Sequence, residues 1–255
     1  IILIIPPGCA ALFSGCGIET SVKVAGYQCN LENVASTAAG VKASLLAQGN
    51  DHTTVIGFAG DGATVDIGIQ ALSGAMERRD KILYICYDNE AYMNTGIQGS
   101  SSTPMFASTT TTPAGKRTVR KDLVGIAMAH DIPYAATASI SNLPDLRRKV
   151  QKAKDTQGPS LVHVHAPCPT GWRYASSKTV EVARKAVQTG CWALYEYEDG
   201  RTTVNYRPKE LKPIEEYISL QGRFKNMTED EKALMSANTE NHFRRLIKRL
   251  DDMNA

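Results

Sequence analysis

Short apolar runs alternate with helical patterns along most of this chain, and that alternation restricts the fold more than any other feature. Ile1–Ile5, Thr53–Ala59, Lys81–Tyr87 ("KILYICY"), Tyr134–Ala138 and Ser160–Ala166 ("SLVHVHA") read as extended segments. Between and after them, Asn33–Gln48, Asp66–Arg78, Lys121–His130, Leu143–Lys154 and Lys178–Thr189 place apolar residues at helical spacing. Strands that are apolar throughout must be buried on both faces. The pattern therefore predicts an α/β fold, a mostly parallel sheet with helices on both faces. Ligands of such sheets sit beyond the carboxyl ends of the strands.

With 255 residues, the chain has the length for one large domain or two small ones. A net charge of +3, with no basic cluster interleaved with aromatics, argues against nucleic acid. No apolar run reaches transmembrane length, so no membrane partner is expected. "IILIIPPGCAALF" lacks the basic start and cleavage site of an export signal, which makes a cytoplasmic location the expectation. The chain opens without Met inside an apolar run, so residues upstream are also expected. Six scattered cysteines do not form a disulfide framework and read as core thiols, metal ligands or a mixture.

The stretch "TTVIGFAGDGATVDIGIQAL" (53–72) ends a strand at Gly60-Asp61-Gly62 and then begins a helix. Glycines permit a sharp turn and close approach of a ligand, and the helix aims its N–H groups and positive dipole end at an anion. A carboxylate beside an anion site is repulsive unless a cation lies between them. Asp61 at a helix start thus points to a divalent metal shared with phosphate, and magnesium suits oxygen ligands of this kind. A plain strand–turn–helix is the alternative. In "YICYDNEAYMNTG", Asn89 ends the next strand, 28 positions after Asp61. One strand–helix–strand unit brings the two ends together, and Asn89 and the Ala91 carbonyl then add oxygens to the same ion.

GDG followed after about 26 residues by Asn resembles the thiamine diphosphate-binding motif. The words "GDGATVDIGIQALSGAMERRDKILYICYDNEAYMNTGIQGSSSTP", "TTTTPAGK", "APCPTGW" (166–172) and "EEYISLQGRF" (215–224) are similar to beta subunits of pyruvate:ferredoxin oxidoreductases, within the 2-oxoacid:ferredoxin oxidoreductase family. The resemblance covers nearly the whole chain. It implies a thiamine diphosphate (pyrophosphate-type) domain over 1–200; the more polar 201–255 reads as a C-terminal arm packing on a partner subunit, or as a simple C-terminal helix. The resemblance implies Mg²⁺ on Asp61, Asn89 and the Ala91 carbonyl, and a diphosphate facing Gly60, Gly62 and Ala63. Asn94 matches the asparagine that orients the 2-oxoacid, Thr95 and Gly96 close the pocket, and Gly8 lies beside it.

Related subunits also hold a [4Fe–4S] cluster through a CxxCG pair, a third Cys after a strand and a fourth in the "APCP" segment. Cys9 and Cys168 match the third and fourth, while the CxxCG pair is absent; it lies upstream, or Cys16 and Cys29 replace it. Four thiolates are the usual requirement. Parallel-sheet topology predicts that Cys9 and Cys168 meet at one sheet edge, although 159 positions separate them. Cys86 and Cys191 read as structural thiols, and His163 and His165 as packing residues. The implied reaction converts pyruvate, coenzyme A and oxidised ferredoxin to acetyl-CoA, CO₂ and reduced ferredoxin, or the reverse. The implied partners are an alpha-type subunit supplying the carboxylate that activates the aminopyrimidine, gamma and ferredoxin-like delta subunits, and ferredoxin. The alternatives are oxalate or another 2-oxoacid as substrate, a non-oxidative thiamine decarboxylase or carboligase, and a non-catalytic subunit binding a nucleotide. Two further segments stand out: 88–120, a long Asn/Gly/Ser/Thr-rich stretch expected to be functional or disordered, and "TEDE" (228–231), a capping box opening a helix.

Overall fold

A computed structural model describes residues 1–15, 20 and 22–254. Among these, eight strands form one sheet: β1 (Ile2–Ile5), β2 (Ala25–Gln28), β3 (Val55–Gly60), β4 (Leu83–Asp88), β5 (Tyr134–Ser139), β6 (Ser160–His165), β7 (Tyr195–Glu198) and β8 (Arg201–Val204). Their order across the sheet is β2-β1-β3-β4-β6-β5-β7-β8. The first six pair in parallel, and β7 and β8 add to the β5 edge antiparallel. The expected strands recur within a residue or two, because apolar runs in a parallel sheet have nowhere to go but the interior. β5 and β6 are buried at every position.

Helices cover both faces. On one, α2 (Val34–Ala47), α3 (Ile69–Glu77), α4 (Leu123–Ala129) and the C-terminal α9 (Glu229–Asp252) close a core that runs from Ile4 and Val55 through Leu72, Tyr84 and Leu161 to Leu250. On the other, α5 (Leu143–Asp155) packs Leu146, Val150 and Ala153 against Leu83, Val162 and Ala136. A third cluster, including Phe106, Trp172, Trp192, Ile214, Tyr217 and Phe224, sits over the carboxyl ends of the strands. It joins the 88–120 segment to α7 (Thr179–Gln188) and to α8 (Glu215–Ile218).

Several elements depart from the expectations. The helix expected from Asp66 begins earlier, as one wide turn at Gly62–Asp66 in which Ile67 N–H reaches the Gly62 carbonyl (3.3 Å). A wide turn of this type often marks a functional site. The short helices α1 (Cys9–Ser14) and α6 (Pro169–Trp172) were not foreseen. Nor was β2, whose four residues are all exposed on the sheet edge and carry no periodic signal. The expected boundary at 200/201 cuts the β7–β8 hairpin, where Asp199 and Gly200 both take positive φ, at 47° and 84°. Asp-Gly suits that two-residue turn. Residues 201–255 thus begin as a strand of the same sheet. The helix they lead to carries the expected capping box, Thr228 with Glu231, and buries Leu250 in the chain's own core.

The added hairpin is tied down by one carboxylate. Glu196 on β7, 3% exposed, accepts from Tyr134 Oη (2.9 Å), Arg148 Nη1 (2.8 Å) and Asn205 Nδ2 (2.9 Å). Burial opposes its ionisation, but the hydrogen bonds from Arg148, Asn205 and Tyr134 prevail and hold it at about 2. A carboxyl depressed on folding stabilises above its unfolded value, and that stability is lost as pH falls toward the folded one. Glu196→Gln is expected to cost about 1–2 kcal/mol at pH 7, or several degrees of thermal midpoint. The gap to the unsubstituted protein should narrow as pH falls from about 4.5 toward 2; thermal melts across that range check it.

Candidate functional site

Because β1, β3, β4 and β6 run parallel and in register, their carboxyl ends share one edge. The chain leaves β1 toward β2 on one side and β3 toward β4 on the other, so the ends of β1 and β3 diverge, as at the ligand crevice of open α/β sheets. A cleft opens there. Gly8, Cys9, Gly60, Asp61, Gly62, Ala63, Asn89, Ala91, Asn94 and Thr95 all line it. Gly96 and Cys168 are the two expected site residues that do not. Gly96 lies one residue past the lining, at φ 126°, in the tight loop that the Tyr92–Gln98 bridge closes.

Asp61 stands at the head of the wide turn, fully buried, with Ser100 Oγ donating to its Oδ2 at 2.5 Å. Burial, followed by the charge of Asp88, pushes its carboxyl well above the usual range. Asp88 itself moves the other way. His163 Nε2 meets its Oδ2 at 2.7 Å, and against the effect of burial this bond and the charges of His163 and Arg120 hold it down at about 2. Gly62 has no room for a side chain: a Cβ would lie 2.5 Å from the Tyr92 ring packed on the turn.

The Asn89 side-chain oxygen lies 3.1 Å from Asp61 Oδ1 and 2.9 Å from the Ala91 carbonyl oxygen, so acceptor faces acceptor. Adjacent ligands of an octahedral ion with bonds of about 2.0–2.1 Å are themselves about 2.9 Å apart. The Asn89 side-chain oxygen stands at about that spacing from each of the other two. The same contacts are satisfied with the amide turned over, its nitrogen donating to both oxygens. A cation and the reversed amide are the two arrangements that leave no oxygen repelling another.

The long segment 88–120 is folded over this cleft. Lys116 Nζ donates to the carbonyls of Ser100 (3.0 Å), Ser101 (3.2 Å) and Thr103 (2.8 Å), pinning the turn that presents Ser100 to Asp61. Ser101 N–H donates to Asp66 Oδ2 (3.0 Å), anchoring the same turn to the helix. Asn94 is exposed at the mouth, and Thr95 Oγ1 donates to Gln98 Oε1 (2.6 Å). Ser100, Lys116, Glu90, Arg120, Trp172 and Arg223 were not singled out from the sequence. Their polar partners lie on other elements, and only the composition of 88–120 hinted at a built loop.

The thiols divide. Cys9 opens α1, and its thiol is pushed up by burial, then by Cys168. Cys168 caps α6, accepting from Gly171 N–H at 3.5 Å. Asn89 lies between Cys9 and α6, its Nδ2 3.9 Å from Cys9 Sγ and its carbonyl accepting from Trp172 Nε1 at 2.8 Å. Cys29 ends β2 with its Sγ toward the Ile5 carbonyl (3.6 Å) and does not line the cleft. Cys16 lies outside the described residues. Among those residues no group of three or more His, Cys, Asp or Glu side chains is gathered as metal ligands, so they do not compose a [4Fe–4S] site by themselves. Cys86 is buried in the core and Cys191 packs against the third cluster, as expected of structural thiols.

Comparison with known proteins places this geometry. The family described as thiamine pyrophosphate enzyme, C-terminal TPP binding domain, matches residues 9–164. Pyruvate synthase subunit PorB of Methanothermobacter thermautotrophicus is 52% identical over 89% of this chain and 80% of its own length. Ketoisovalerate oxidoreductase subunit VorB of Pyrococcus abyssi is 48% identical over 90% of this chain and 78% of its own. Among solved structures, the 2-oxoglutarate:ferredoxin oxidoreductase from Magnetococcus marinus superposes with a TM-score of 0.59 at 18% identity, covering 72% of this chain and 66% of that one, a likeness of fold. The chain is therefore an enzyme subunit of the thiamine pyrophosphate-binding type and belongs to the PorB/VorB family of 2-oxoacid:ferredoxin oxidoreductase beta subunits.

Proposed function

We propose that this chain is the thiamine diphosphate-binding subunit of a pyruvate:ferredoxin oxidoreductase. The complex would convert pyruvate and coenzyme A to acetyl-CoA, CO₂ and reduced ferredoxin, or run the reverse. The observation that carries the reading is the convergence of Asp61 Oδ1, Asn89 Oδ1 and the Ala91 carbonyl at the head of a helical turn, inside the cleft. Those oxygens would hold Mg²⁺. Gly60, Gly62 and Ala63 offer backbone to a diphosphate, where helical N–H groups and the dipole favour negative charge. Ser100 and Lys116 hold the turn that fixes Asp61.

Bound in this way, thiamine diphosphate supplies the carbon nucleophile and the electron sink that decarboxylation of a 2-oxoacid requires. The chain's own residues bind and orient. Asn94, exposed at the mouth, is placed to hydrogen-bond an incoming oxoacid, and Thr95, held by Gln98, closes that side with Gly96 behind it. Gly8 and Cys9 form the opposite wall. Cys9 and Cys168 would supply two ligands of a [4Fe–4S] cluster whose others come from outside the described residues. Among those residues Asp61 is the sole carboxylate lining the cleft. Since it serves the metal, the acid that activates the aminopyrimidine falls to an alpha-type partner subunit. Exposed Leu12 and Phe13, on the helix that starts at the cleft wall, suit an interface with that partner. Gamma and ferredoxin-like delta subunits and ferredoxin complete the proposed assembly. The near-equal likeness to ketoisovalerate oxidoreductase subunits favours one second reading, a branched 2-oxoacid. Turnover of the assembled complex on pyruvate against 2-ketoisovalerate separates the two.

In the assembled complex, Asp61→Ala is expected to abolish retention of thiamine diphosphate and turnover together. It removes the anionic ligand from a buried site where charged contacts are strong. Full cofactor occupancy after gel filtration would remove the assignment. Asn94→Ala should leave cofactor content unchanged and lower turnover about ten-fold or more, because misplaced reactants lose rate steeply. Unchanged kinetics would make Asn94 a turn residue only. A pH dependence follows from Asp61. Burial and the charge of Asp88 raise its carboxyl in the free site, so protons compete with a cation for it. The Mg²⁺ concentration for half-maximal cofactor binding should rise as pH is lowered, as titrations at fixed thiamine diphosphate will show.

A further inference from the structure

Glu90 lies between the two oxygen donors Asn89 and Ala91, does not line the cleft, and is the most constrained residue of the turn. Its φ is 62°, in the left-handed region that residues other than glycine seldom occupy. An extended residue there would send its neighbours' oxygens apart; the left-handed one doubles the chain back, with the Ala91 carbonyl 2.9 Å from the Asn89 side-chain oxygen. Each polar group of Glu90 is engaged. Its N–H donates to Asp88 Oδ1 (2.8 Å) and its carbonyl accepts from Thr103 Oγ1 (2.6 Å). Its carboxylate accepts from Arg120 Nη2 (2.8 Å) and Arg223 Nη2 (2.6 Å) and is fully buried.

The clamp reaches well beyond the turn. Arg223 comes from the C-terminal part of the chain, stacks 3.6 Å from the centre of the Trp172 ring and also donates to Gln221. Trp172 in turn donates to the Asn89 carbonyl. Arg223 thus holds Glu90 directly and its neighbour Asn89 through the indole. We infer that Glu90 is a positioning residue for the metal site, locked by Arg120, Arg223 and Thr103 in a left-handed conformation that brings the Asn89 and Ala91 oxygens onto one cation. This inference rests on the metal reading proposed above.

The test compares Glu90→Ala with Glu90→Gly in the complex with its partner subunits, titrating Mg²⁺ at fixed thiamine diphosphate and following tryptophan emission, to which Trp172 contributes. Both variants leave the same two guanidinium groups without their carboxylate, so loss of stability is common to them. Only glycine accepts the left-handed backbone freely. Alanine should raise the half-saturating Mg²⁺ about ten-fold or more, and glycine should recover at least several-fold of that loss. Equal weakening in both, or none in either, overturns the inference. Thr103→Val, which removes the hydroxyl that donates to the Glu90 carbonyl and accepts from Ser100 N–H, serves where the Glu90 variants do not fold: it should weaken Mg²⁺ several-fold, and unaltered Mg²⁺ affinity again overturns the idea. Unsubstituted complex that binds thiamine diphosphate without any divalent cation defeats instead the metal reading beneath it.

Discussion

Parallel pairing of β1, β3, β4 and β6 is the constraint on which the rest of this molecule depends. It delivers Cys9, Asp61, Asn89 and Cys168, residues far apart in sequence, to one edge of the sheet. The sheet can do so only because its strands are apolar on both sides and are covered on both sides, which is what the two main cores accomplish. Antiparallel pairing anywhere among these strands would carry one of those residues to the opposite edge. The two antiparallel strands, β7 and β8, are added beyond β5, where they add nothing to the lining of the cleft.

What the sheet places, buried charge then orients. Asp88 with His163 and Glu90 with Arg120 and Arg223 form two adjoining sets of buried charged or hydrogen-bonded groups behind the cleft. Such sets are poor sources of net stability, since desolvation offsets much of the attraction, yet loss of one partner from a buried pair costs about 3–5 kcal/mol. Their value here is geometric. They keep a left-handed residue between two oxygen donors and hold Asp88 ionised beside an Asp61 that resists ionisation. That asymmetry leaves Asp61 as the carboxyl whose charge a cation in the cleft would stabilise.

The architecture and the line of the site are legible in the sequence, and the supports are not. Asp61, Asn89 and Ala91 were readable because glycine-flanked acid and a second polar strand end are local signals with a fixed separation. Ser100, Lys116, Glu90 and Arg223 act through partners up to 133 positions away, and nothing in their own neighbourhoods marks them. The β7–β8 hairpin lies across the boundary expected near residue 200, and its turn signal, Asp199-Gly200, is only two residues long.

By itself the sequence determined the five central strands and the main helices, that the sheet is mostly parallel, and that a carboxylate and an amide stand at neighbouring strand ends. Periodicity and turn chemistry are properties of short windows, and burial on both faces follows from composition alone. Only the tertiary structure decided that the Asn89 amide lies against both Asp61 Oδ1 and the Ala91 carbonyl, that the 88–120 segment folds down as a pinned cover, and that the C-terminal residues return to brace the site through Arg223. Those outcomes depend on side-chain directions and on a single left-handed residue. Such choices are settled by the packing of distant elements against one another, which no window of the sequence contains.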